Sequence, residues 1–444
     1  MTKIVLSVNA GSSSVKISVF SVASRGAEPR LLAEAQVNGL TAPPPQVDYR
    51  RNEDADGGKT TTMTTVYKDE PLDKISIGND KKIASVETQD DAFAFLLRLF
   101  VDDPKLAAIG SHDDIAIATH RIVHGGDYTE PQIVVGDTYA HLEALNDLAP
   151  LHNAKSLEIV RSCLRQLPKA TNVACFDSQF HATLPPHIRT YPIDPKIAKA
   201  NMLRKYGFHG LSYAFITRAV ADALGKTPED TSIIALHLGS GASACAIRGG
   251  KSWDTSMGLT PLAGLPGATR SGSVDPSLVF HYASDVGRLA PASTSDLHIS
   301  RAEEILNKES GWKALTGTTN FGAIAAAGAD QPGHQLAFDL FVDRVCGFVG
   351  SYYVSLRGQV DALVFAGGIG ERSDRLRRAV VEQCACLGFA MDEGANKEAA
   401  GHADGPVTDL TAKSGSQHKV LVCRTDEQLE MAREGSADER LWTS

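Results

Sequence analysis

Two short segments rich in glycine and serine could supply the donors that bind phosphate. Residues 9–14 read Asn-Ala-Gly-Ser-Ser-Ser, and residues 239–243 read Gly-Ser-Gly-Ala-Ser. Small residues let a ligand approach the main chain, whose N–H groups suit phosphate oxygens together with the serine hydroxyls. Neither segment ends in the Lys-Ser/Thr of a Walker loop. One such segment alone could be an ordinary turn, so the argument for phosphate rests on the recurrence.

Two arginines lie in surroundings that favour anion binding. Arg121 is close to the pair Gly125 and Gly126, and Arg270 lies in the small-residue loop 268–272. A planar guanidinium can bridge two oxygens of a carboxylate or a phosphoryl group, which a lysine cannot do in the same way. The alternative for each arginine is a surface salt bridge. The apolar, glycine-bearing surroundings favour the binding role.

Two acids follow apolar stretches and could hold a metal ion. Asp177 follows residues 172–176, and Glu427 comes shortly after residues 420–423. Carboxylates at strand ends near a phosphate loop suit Mg²⁺, and the side-chain amide of Asn9 could join them. The alternative is that each acid caps a helix, and either Asp426 or Glu427 could cap a helix over 428–433.

Histidines flank both the second segment and a predicted helix. His209 precedes Gly210 at the entry to a helix that Ser212 could cap, and His237 precedes Gly239. A buried imidazole at position 209 could donate a hydrogen bond to a phosphoryl oxygen. The alternative for His209 is that backbone carbonyls hold the ring.

The elements that position these residues repeat along the chain. Residues 4–8 and 15–20 flank the first segment, and 233–238 and 244–247 flank the second, with apolar and alternating patterns that predict strand, tip and strand. Each copy is followed by an apolar strand and paired glycines. The offsets are 125 − 11 = 114 and 367 − 239 = 128 residues. We therefore predict a duplicated domain whose two tips face each other across a cleft.

Bulk composition excludes several classes of protein. The chain has 444 residues, 43% of them apolar, which is enough for two or three cores. Its net charge of −9 argues against a nucleic-acid partner. The chain enters a strand at once, which predicts no secretory signal, and the apolar stretch 336–356 carries charges that exclude a membrane span. Seven cysteines fit a reducing cytoplasm.

Two segments break the pattern. Residues 43–82 are too polar to bury and predict a surface excursion on the first domain, with two irregular strands as one form that it could take. The tail after Glu434 shows no pattern and is expected to fray.

From residue 4 to about residue 433 the chain resembles the acetate kinases, the acetokinase family. The resemblance rests on six stretches, namely residues 9–16, 120–126, 176–181, 204–210, 254–261 and 269–272. That family belongs to the superfamily of sugar kinases, heat-shock ATPases and actin. The resemblance implies an α/β fold of two duplicated actin-like ATPase domains, similar to ribonuclease H, around a nucleotide cleft. It places residues 1–180 in one domain, completed by 420–436, and 181–419 in a second that holds the adenosine site.

The resemblance also implies roles for individual residues. The implied catalytic residues are Arg121, Asp177, His209 and Arg270. With Arg121, the implied acetate site has an apolar methyl pocket of Val123, Leu151, Phe208 and Pro261. The implied nucleotide-binding residues are Asn9, Ser12, Ser14, Lys16, His237, Gly239, Ser240, Gly241, Asn320, Phe321, Gly367, Gly368, Ile369, Gly370 and Glu371. The implied metal ligands are Asn9, Asp177 and Glu427.

The implied reaction is reversible phosphoryl transfer between ATP and acetate, with Mg²⁺, in a cytoplasmic homodimer. Alternatives are a propionate or butyrate kinase, a kinase that uses pyrophosphate or orthophosphate, and a nucleotide-gated module of the actin or chaperone kind. That module would have no reason to keep both Arg121 and Arg270.

The chain departs from the family at several positions. Tyr213 stands where the family often has histidine, and Ser240 stands where bacterial members have asparagine. Residues 320–322 read Asn-Phe-Gly where bacterial members have Asp-Phe-Arg. The last two departures lie at the nucleotide site, so they predict loosened base selectivity.

Overall fold

The computed structural model describes residues 2–11, 13–41, 44–53, 63–75, 86–145, 150–282, 289–290, 293, 299–327, 331–399 and 405–442. Its strands are β1 (Lys3–Ala10), β2 (Ser14–Val22), β3 (Arg30–Asn38), β4 (Gln46–Asn52), β5 (Met63–Pro71), β6 (Ile115–Ile122), β7 (Gln132–Ile133), β8 (Thr171–Phe176), β9 (Ser232–Leu238), β10 (Ala242–Arg248), β11 (Lys251–Thr255), β12 (Ala362–Ala366), β13 (Val407–Asp409) and β14 (Lys419–Cys423).

Its helices are α1 (Gln89–Val101), α2 (Gly136–Ala144), α3 (Pro150–Gln166), α4 (Pro186–Arg189), α5 (Pro195–Ala200), α6 (Gly210–Leu224), α7 (Leu278–Tyr282), α8 (Arg301–Lys308), α9 (Gly311–Thr316), α10 (Phe321–Ala326), α11 (Pro332–Ser355), α12 (Gly367–Arg372), α13 (Asp374–Gln383), α14 (Glu393–Glu398) and α15 (Glu427–Ala437).

The chain divides into two compact units. The first unit is Met1–Phe176 with Asp426–Ser444, and the second is Asp177–Thr425. The domain boundaries predicted from the sequence lie at 180/181 and 419/420, whereas the structure has them at 176/177 and 425/426. The later boundary differs because β14 pairs in parallel with β12, so residues up to Thr425 remain with the second unit.

The two sheets have the same topology. The first sheet contains the order β3-β2-β1-β6-β8-β7, and the second has the order β11-β10-β9-β12-β14-β13. In each, a hairpin of antiparallel strands supplies one side, two parallel strands follow, and a short antiparallel strand closes the edge. The predicted duplication and the mixed α/β fold are confirmed, and both glycine-serine segments are hairpin tips.

Each unit has its own apolar core. In the first, Val19 on β2 is fully buried in one cluster with Phe93 and Phe100 of α1. In the second, Phe365 on β12 is fully buried in one cluster with Phe341 of α11 and Val380 of α13. These cores fix the sheets, and the sheets fix where the strand ends deliver their polar residues.

The described parts of the polar excursion and of the tail differ from what the sequence predicts, while residues 43, 54–62 and 76–82 of the excursion lie outside the described residues. Strands β4 and β5 are the two irregular strands that the sequence allowed for, since they pair with shifts in register, and β4 pairs with β3, so they extend the first sheet. The expectation that the segment is too polar to bury is wrong for β4, whose Val47 and Tyr49 are buried. The expected fraying after Glu434 is wrong, because α15 continues to Ala437 and packs on β1 and β6. Leu441, beyond that helix, is also buried.

Within the described residues no helix combines the length and the apolar character needed to cross a membrane. Helix α11, which contains the apolar stretch noted in the sequence, buries Phe341, Val345 and Val349 in the core of its unit.

Candidate active site

Three of the predicted residues meet at one edge of the first sheet. Asn9 stands at the end of β1, Arg121 near the end of β6, and Glu427 at the start of α15. The Asn9 amide nitrogen donates to Glu427 Oε2 at 3.3 Å, and Arg121 Nη1 lies 3.0 Å from the same oxygen. The side chains of Arg121 and Glu427 are only 20% and 14% exposed, so this is a shielded ion pair rather than a surface salt bridge.

The fold brings these residues together because β1 and β6 are parallel neighbours that end at the same edge. Helix α15 is held there by a chain of hydroxyls, since Thr119 donates to Ser7 at 3.0 Å and Ser7 donates to the Gln428 carbonyl at 2.8 Å. Asp426 is the N-cap of α15, and its carboxylate accepts from Leu429 N–H at 2.9 Å. Of the two acids, Asp426 therefore does the capping, and Glu427 faces Asn9 and Arg121.

The first hairpin tip is tight. Gly11 N–H donates to the Ser14 carbonyl at 2.8 Å, and Asn9 pairs with Lys16 across the hairpin. The Lys16 ammonium lies 3.2 Å from Glu34 on β3, an ion pair that the sequence did not predict. Ser12, another predicted phosphate contact, lies outside the described residues.

The predicted methyl-pocket residues divide between the units. Val123 follows β6 and is half-buried in the first unit, and the side chain of Leu151 lies outside the described part of that unit. Phe208 and Pro261 are both buried in the second unit.

The second hairpin tip brings three further predicted residues together. Gly239 N–H donates to the Gly241 carbonyl at 3.1 Å, which closes the tip between β9 and β10. A Cβ atom at Gly241 would lie 3.0 Å from Arg270 Nη1 and 3.7 Å from His209 Nε2. The first distance is tight and the second is an ordinary contact, so glycine at this position makes room chiefly for the guanidinium, while the imidazole edge lies beside the same tip.

One ring nitrogen of His209 is held by a side chain. It is the N-cap of α6, with a left-handed φ of 61°, and its Nδ1 lies 2.8 Å from Ser243 Oγ. Its ring centroid is 4.2 Å from that of His237. The prediction that Ser212 caps α6 is wrong, because the Ser212 hydroxyl instead meets His237 Nδ1 at 2.7 Å.

Asp177 follows β8 and is 1% exposed, and its carbonyl accepts from Gly210 N–H at 2.8 Å beside the start of α6. Among the described residues, no three or more His, Cys, Asp or Glu side chains lie close enough together to hold a metal ion by themselves. The predicted metal ligands offer two carboxylates and an amide oxygen. That donor set fits Mg²⁺, which takes one or two protein carboxylates and completes its shell with water and phosphate.

A cavity of about 630 Å³ lies beside the second tip. Six predicted nucleotide-binding residues line it, namely Gly239, Ser240, Asn320, Phe321, Gly368 and Ile369. Gly322, at one of the departures from the family, lines it too. The Phe321 side chain is only 5% exposed and packs against Trp312, so its ring belongs largely to the core.

The sequence missed other lining residues, which are Trp312, Thr319, Ala325, Ala326, Arg372, Ser373, Asp374 and Arg375. Ser373 is the N-cap of α13, the helix that follows the glycine-rich helix α12. A capping serine directly after α12 is the sequence signal that could have placed this segment in the wall of the cavity. Gly367, Gly370 and Glu371 are not among the lining residues. Gly367 instead needs its φ of +73°, and a Cβ there would lie 2.7 Å from the Leu238 carbonyl of β9. Burial raises the pKa of Glu371.

The repeated topology and the two glycine-rich tips define a duplicated α/β protein of the actin-like ATPase class. Within that class, the profile of the acetokinase family matches residues 4–433, and the chain belongs to this family.

Individual relatives agree with that assignment. The chain is 60% identical to a "probable acetate kinase" of Neurospora crassa, over all of this chain and 95% of the relative. A propionate kinase structure from Francisella tularensis superimposes with a TM-score of 0.76 at 29% identity, over 97% of this chain and 98% of that one. An acetate kinase structure from Porphyromonas gingivalis gives 0.74 at 29% identity, again over 97% and 98%.

Proposed function

We propose that this protein is an acetate kinase, which transfers the γ-phosphoryl group of ATP to acetate and gives acetyl phosphate and ADP. Family membership and the name of the 60% identical relative support the reaction. The structural observation that carries it is the approach of Arg270 and His209 to Gly241 at a hairpin tip. A tip flanked by a guanidinium and an imidazole is equipped to stabilise charge on a phosphoryl group.

The chemistry asks little of the protein beyond positioning and charge stabilisation. Acetate is ionised at neutral pH, so its carboxylate can attack phosphorus in line without a general base. Arg121 and Arg270 orient and neutralise the reacting oxygens, and His209 donates a hydrogen bond to one of them. The free energy of substrate binding is thereby used to align acetate with the γ-phosphoryl group of ATP.

Mg²⁺ would be held by Asp177 and Glu427, with Asn9 beside Glu427. When bound, such an ion neutralises phosphate charge and orients the polyphosphate. The ion pair of Glu427 with Arg121 uses Oε2, and a carboxylate has a second oxygen for the ion or its water.

ATP is the phosphoryl donor that the second unit supports best. The cavity of about 630 Å³ is in the usual size range for a small-molecule site, and the tip residues Gly239 and Ser240 form part of its wall. A donor such as pyrophosphate or orthophosphate would need no cavity of this kind. Asn320 and Gly322 line it in place of an acid and an arginine, so we expect looser base selectivity than in bacterial relatives.

Acetate is favoured over longer acids because the relative at 60% identity is named for acetate. Val123, Leu151, Phe208 and Pro261 are the residues that we assign to the methyl group. One extra methylene changes the free energy of substrate discrimination by about 1–3 kcal/mol in such a pocket, so we expect propionate to react more slowly than acetate but still to be a substrate.

The direct test is to incubate the protein with acetate, ATP, Mg²⁺ and hydroxylamine, which traps acetyl phosphate as a hydroxamate. We expect hydroxamate that depends on acetate, ATP and the metal, and less product when propionate replaces acetate. ATP hydrolysis without hydroxamate would contradict the proposal and favour the nucleotide-gated module.

The nucleotide cavity can be tested with a pair of substitutions on α10. Ala326 lines the cavity, whereas Ala323, exposed on the same short helix, is not among its lining residues. We expect Ala326→Trp to raise the KM for ATP at least about tenfold, the scale of one lost packing contact, and to leave the KM for acetate unchanged. Ala323→Trp is the matched control, and equal effects of the two variants would contradict this placement.

We also propose that the protein acts in the cytoplasm as a homodimer. All seven cysteines are unpaired thiols, which suits a reducing compartment. Light scattering on the purified protein should give twice the chain mass of 47.3 kDa, and a monomer would contradict the assembly without affecting the reaction.

A further inference from the structure

A buried chain of hydrogen bonds ends on the inner nitrogen of His209. The Tyr213 hydroxyl lies 2.5 Å from Ser243 Oγ, and Ser243 Oγ lies 2.8 Å from His209 Nδ1. Tyr213 and Ser243 are fully buried. From the sequence, Ser243 was a possible phosphate contact as one of the serines of segment 239–243, and Tyr213 was noted only as a residue at a position where the family often has histidine.

The direction of the chain follows from counting protons. The His237 backbone N–H faces the Tyr213 oxygen as a donor, so it cannot accept the phenol proton. Among the described residues, Ser243 Oγ is the acceptor that the structure offers to this proton. A buried hydroxyl without an acceptor costs free energy. Loss of the proton does not avoid this cost, because burial raises the pKa of Tyr213 well above its ordinary value.

Ser243 therefore accepts from Tyr213 and must direct its own proton elsewhere. The other partner of its hydroxyl is His209 Nδ1, which must then accept. A neutral imidazole whose Nδ1 accepts carries its hydrogen on Nε2. That nitrogen is the one that approaches Gly241, at 3.7 Å from the position of a Cβ atom.

We propose that Tyr213 is a positioning residue that acts through Ser243 to hold neutral His209 as an Nε2–H donor aimed at the Gly241 tip. The inference rests on the proposed function only for what the donor meets, a phosphoryl oxygen. The other tautomer would present a lone pair to that oxygen, which is repulsive, so fixing the tautomer keeps His209 productive.

The tautomer can be read directly, whatever the enzyme does. In protein labelled with ¹⁵N-histidine, long-range ¹⁵N–¹H correlation spectra show which ring nitrogen of His209 carries the hydrogen above the pH at which the ring is neutral. We expect a single Nε2–H form in the wild type. Tyr213→Phe keeps the ring that packs against Phe180 and His181 but lets Ser243 accept, so an Nδ1–H form should appear.

Kinetics give a second readout. We expect Tyr213→Phe to lower kcat roughly tenfold, the scale of one orienting hydrogen bond, with the KM for ATP and for acetate within about twofold of wild type. The matched control is Tyr352→Phe, because Tyr352 is also buried in this unit but its hydroxyl has no hydrogen-bond partner in the part of the chain that the structure describes. That variant should keep both the tautomer and kcat.

An Nδ1–H form in the wild type would overturn the proposal, as would an unchanged His209 tautomer in Tyr213→Phe. If that variant does not fold, Ser243→Ala removes the same relay and is judged by the same spectra. Absence of acetate phosphorylation would refute the proposed function and leave the tautomer result standing, so the two failures are distinguishable.

Discussion

At the scale of single residues, the site depends on what a planar guanidinium can do. Arg121 reaches Glu427 through Nη1, and a guanidinium carries five N–H donors in a planar fork. Arg270 approaches the tip at the point where a Cβ of Gly241 would lie. We therefore propose both arginines as donors to oxygens that gain charge during transfer.

We predict that Arg121→Ala and Arg270→Ala each lower kcat by about 10²–10³, as expected when one donor to the transition state is lost. Lysine at either position should recover little, because an ammonium lacks the fork geometry. The measurement is steady-state turnover at saturating ATP and acetate.

Arg165→Ala is the control for these variants. Arg165 is 57% exposed and pairs with Asp90 at 3.0 Å, so it is an ordinary surface ion pair. Its loss should leave kcat within about twofold of wild type. If an alanine variant at 121 or 270 kept more than about a tenth of wild-type turnover, that arginine would have no part in the mechanism.

At the scale of elements, a buried arginine braces the glycine-rich helix α12. Arg377 on α13 is 1% exposed, and its Nη1 donates to the carbonyls of Gly370 and Glu371 at 2.8 and 2.9 Å. Its Nε donates to Asn396 Oδ1 on α14 at 2.7 Å. These bonds satisfy carbonyls at the end of α12, whose residues Gly368 and Ile369 line the cavity that we propose for the nucleotide.

Arg377→Met should lower the free energy of unfolding by about 3 kcal/mol, because it leaves several buried acceptors without donors. It should also raise the KM for ATP while the KM for acetate stays unchanged, since only the wall of the nucleotide cavity is disturbed. Denaturant unfolding and substrate titrations measure the two effects.

The neighbouring Arg378 provides the comparison. It is 35% exposed and pairs with Glu393 at 2.7 Å, so Arg378→Met should cost less than about 1 kcal/mol. Equal loss of unfolding free energy in the two variants would show that the hydrogen bonds of Arg377 add no more stability than an exposed ion pair.

At the scale of the whole molecule, buried histidines make stability depend on pH. In the second unit, His181 donates from Nε2 to the Phe208 carbonyl at 2.9 Å, and its Nδ1 meets Ser252 at 2.7 Å. Burial lowers the pKa of His181 from 6.5 to about 4, and the nearby charge of Lys205 acts in the same direction. Between pH 6.5 and about pH 4 the unfolded chain binds a proton at this histidine and the folded chain does not. The free energy of unfolding therefore falls as pH falls.

We predict that His181 accounts for about 2 kcal/mol of the stability that is lost between pH 6.5 and pH 5. His181→Gln should be less stable at neutral pH but lose less stability over this interval. Unfolding curves of both proteins at the two pH values give the comparison, and parallel losses in both would contradict the assignment.

The sequence predicted what local patterns encode. Period-two alternation and glycine tips predicted both hairpins, and the repeat of this arrangement predicted the duplication. The sequence did not predict that strands in residues 43–82 extend the first sheet, because the pairing of β4 with β3 depends on tertiary contacts that local alternation does not encode. The contact of Tyr213 with Ser243 was missed because the two residues are 30 positions apart and meet only through tertiary packing. Arg377 and Asn396, 19 residues apart, were missed for the same reason.

The most direct test of the account is to measure acetyl phosphate consumption with ADP, GDP or orthophosphate as the acceptor. We predict fast turnover with ADP that yields ATP, measurable turnover with GDP because Asn320 and Gly322 line the cavity, and little turnover with orthophosphate. Turnover with orthophosphate that equals or exceeds turnover with ADP would contradict the assignment of the cavity to a nucleotide and of ATP as the phosphoryl donor.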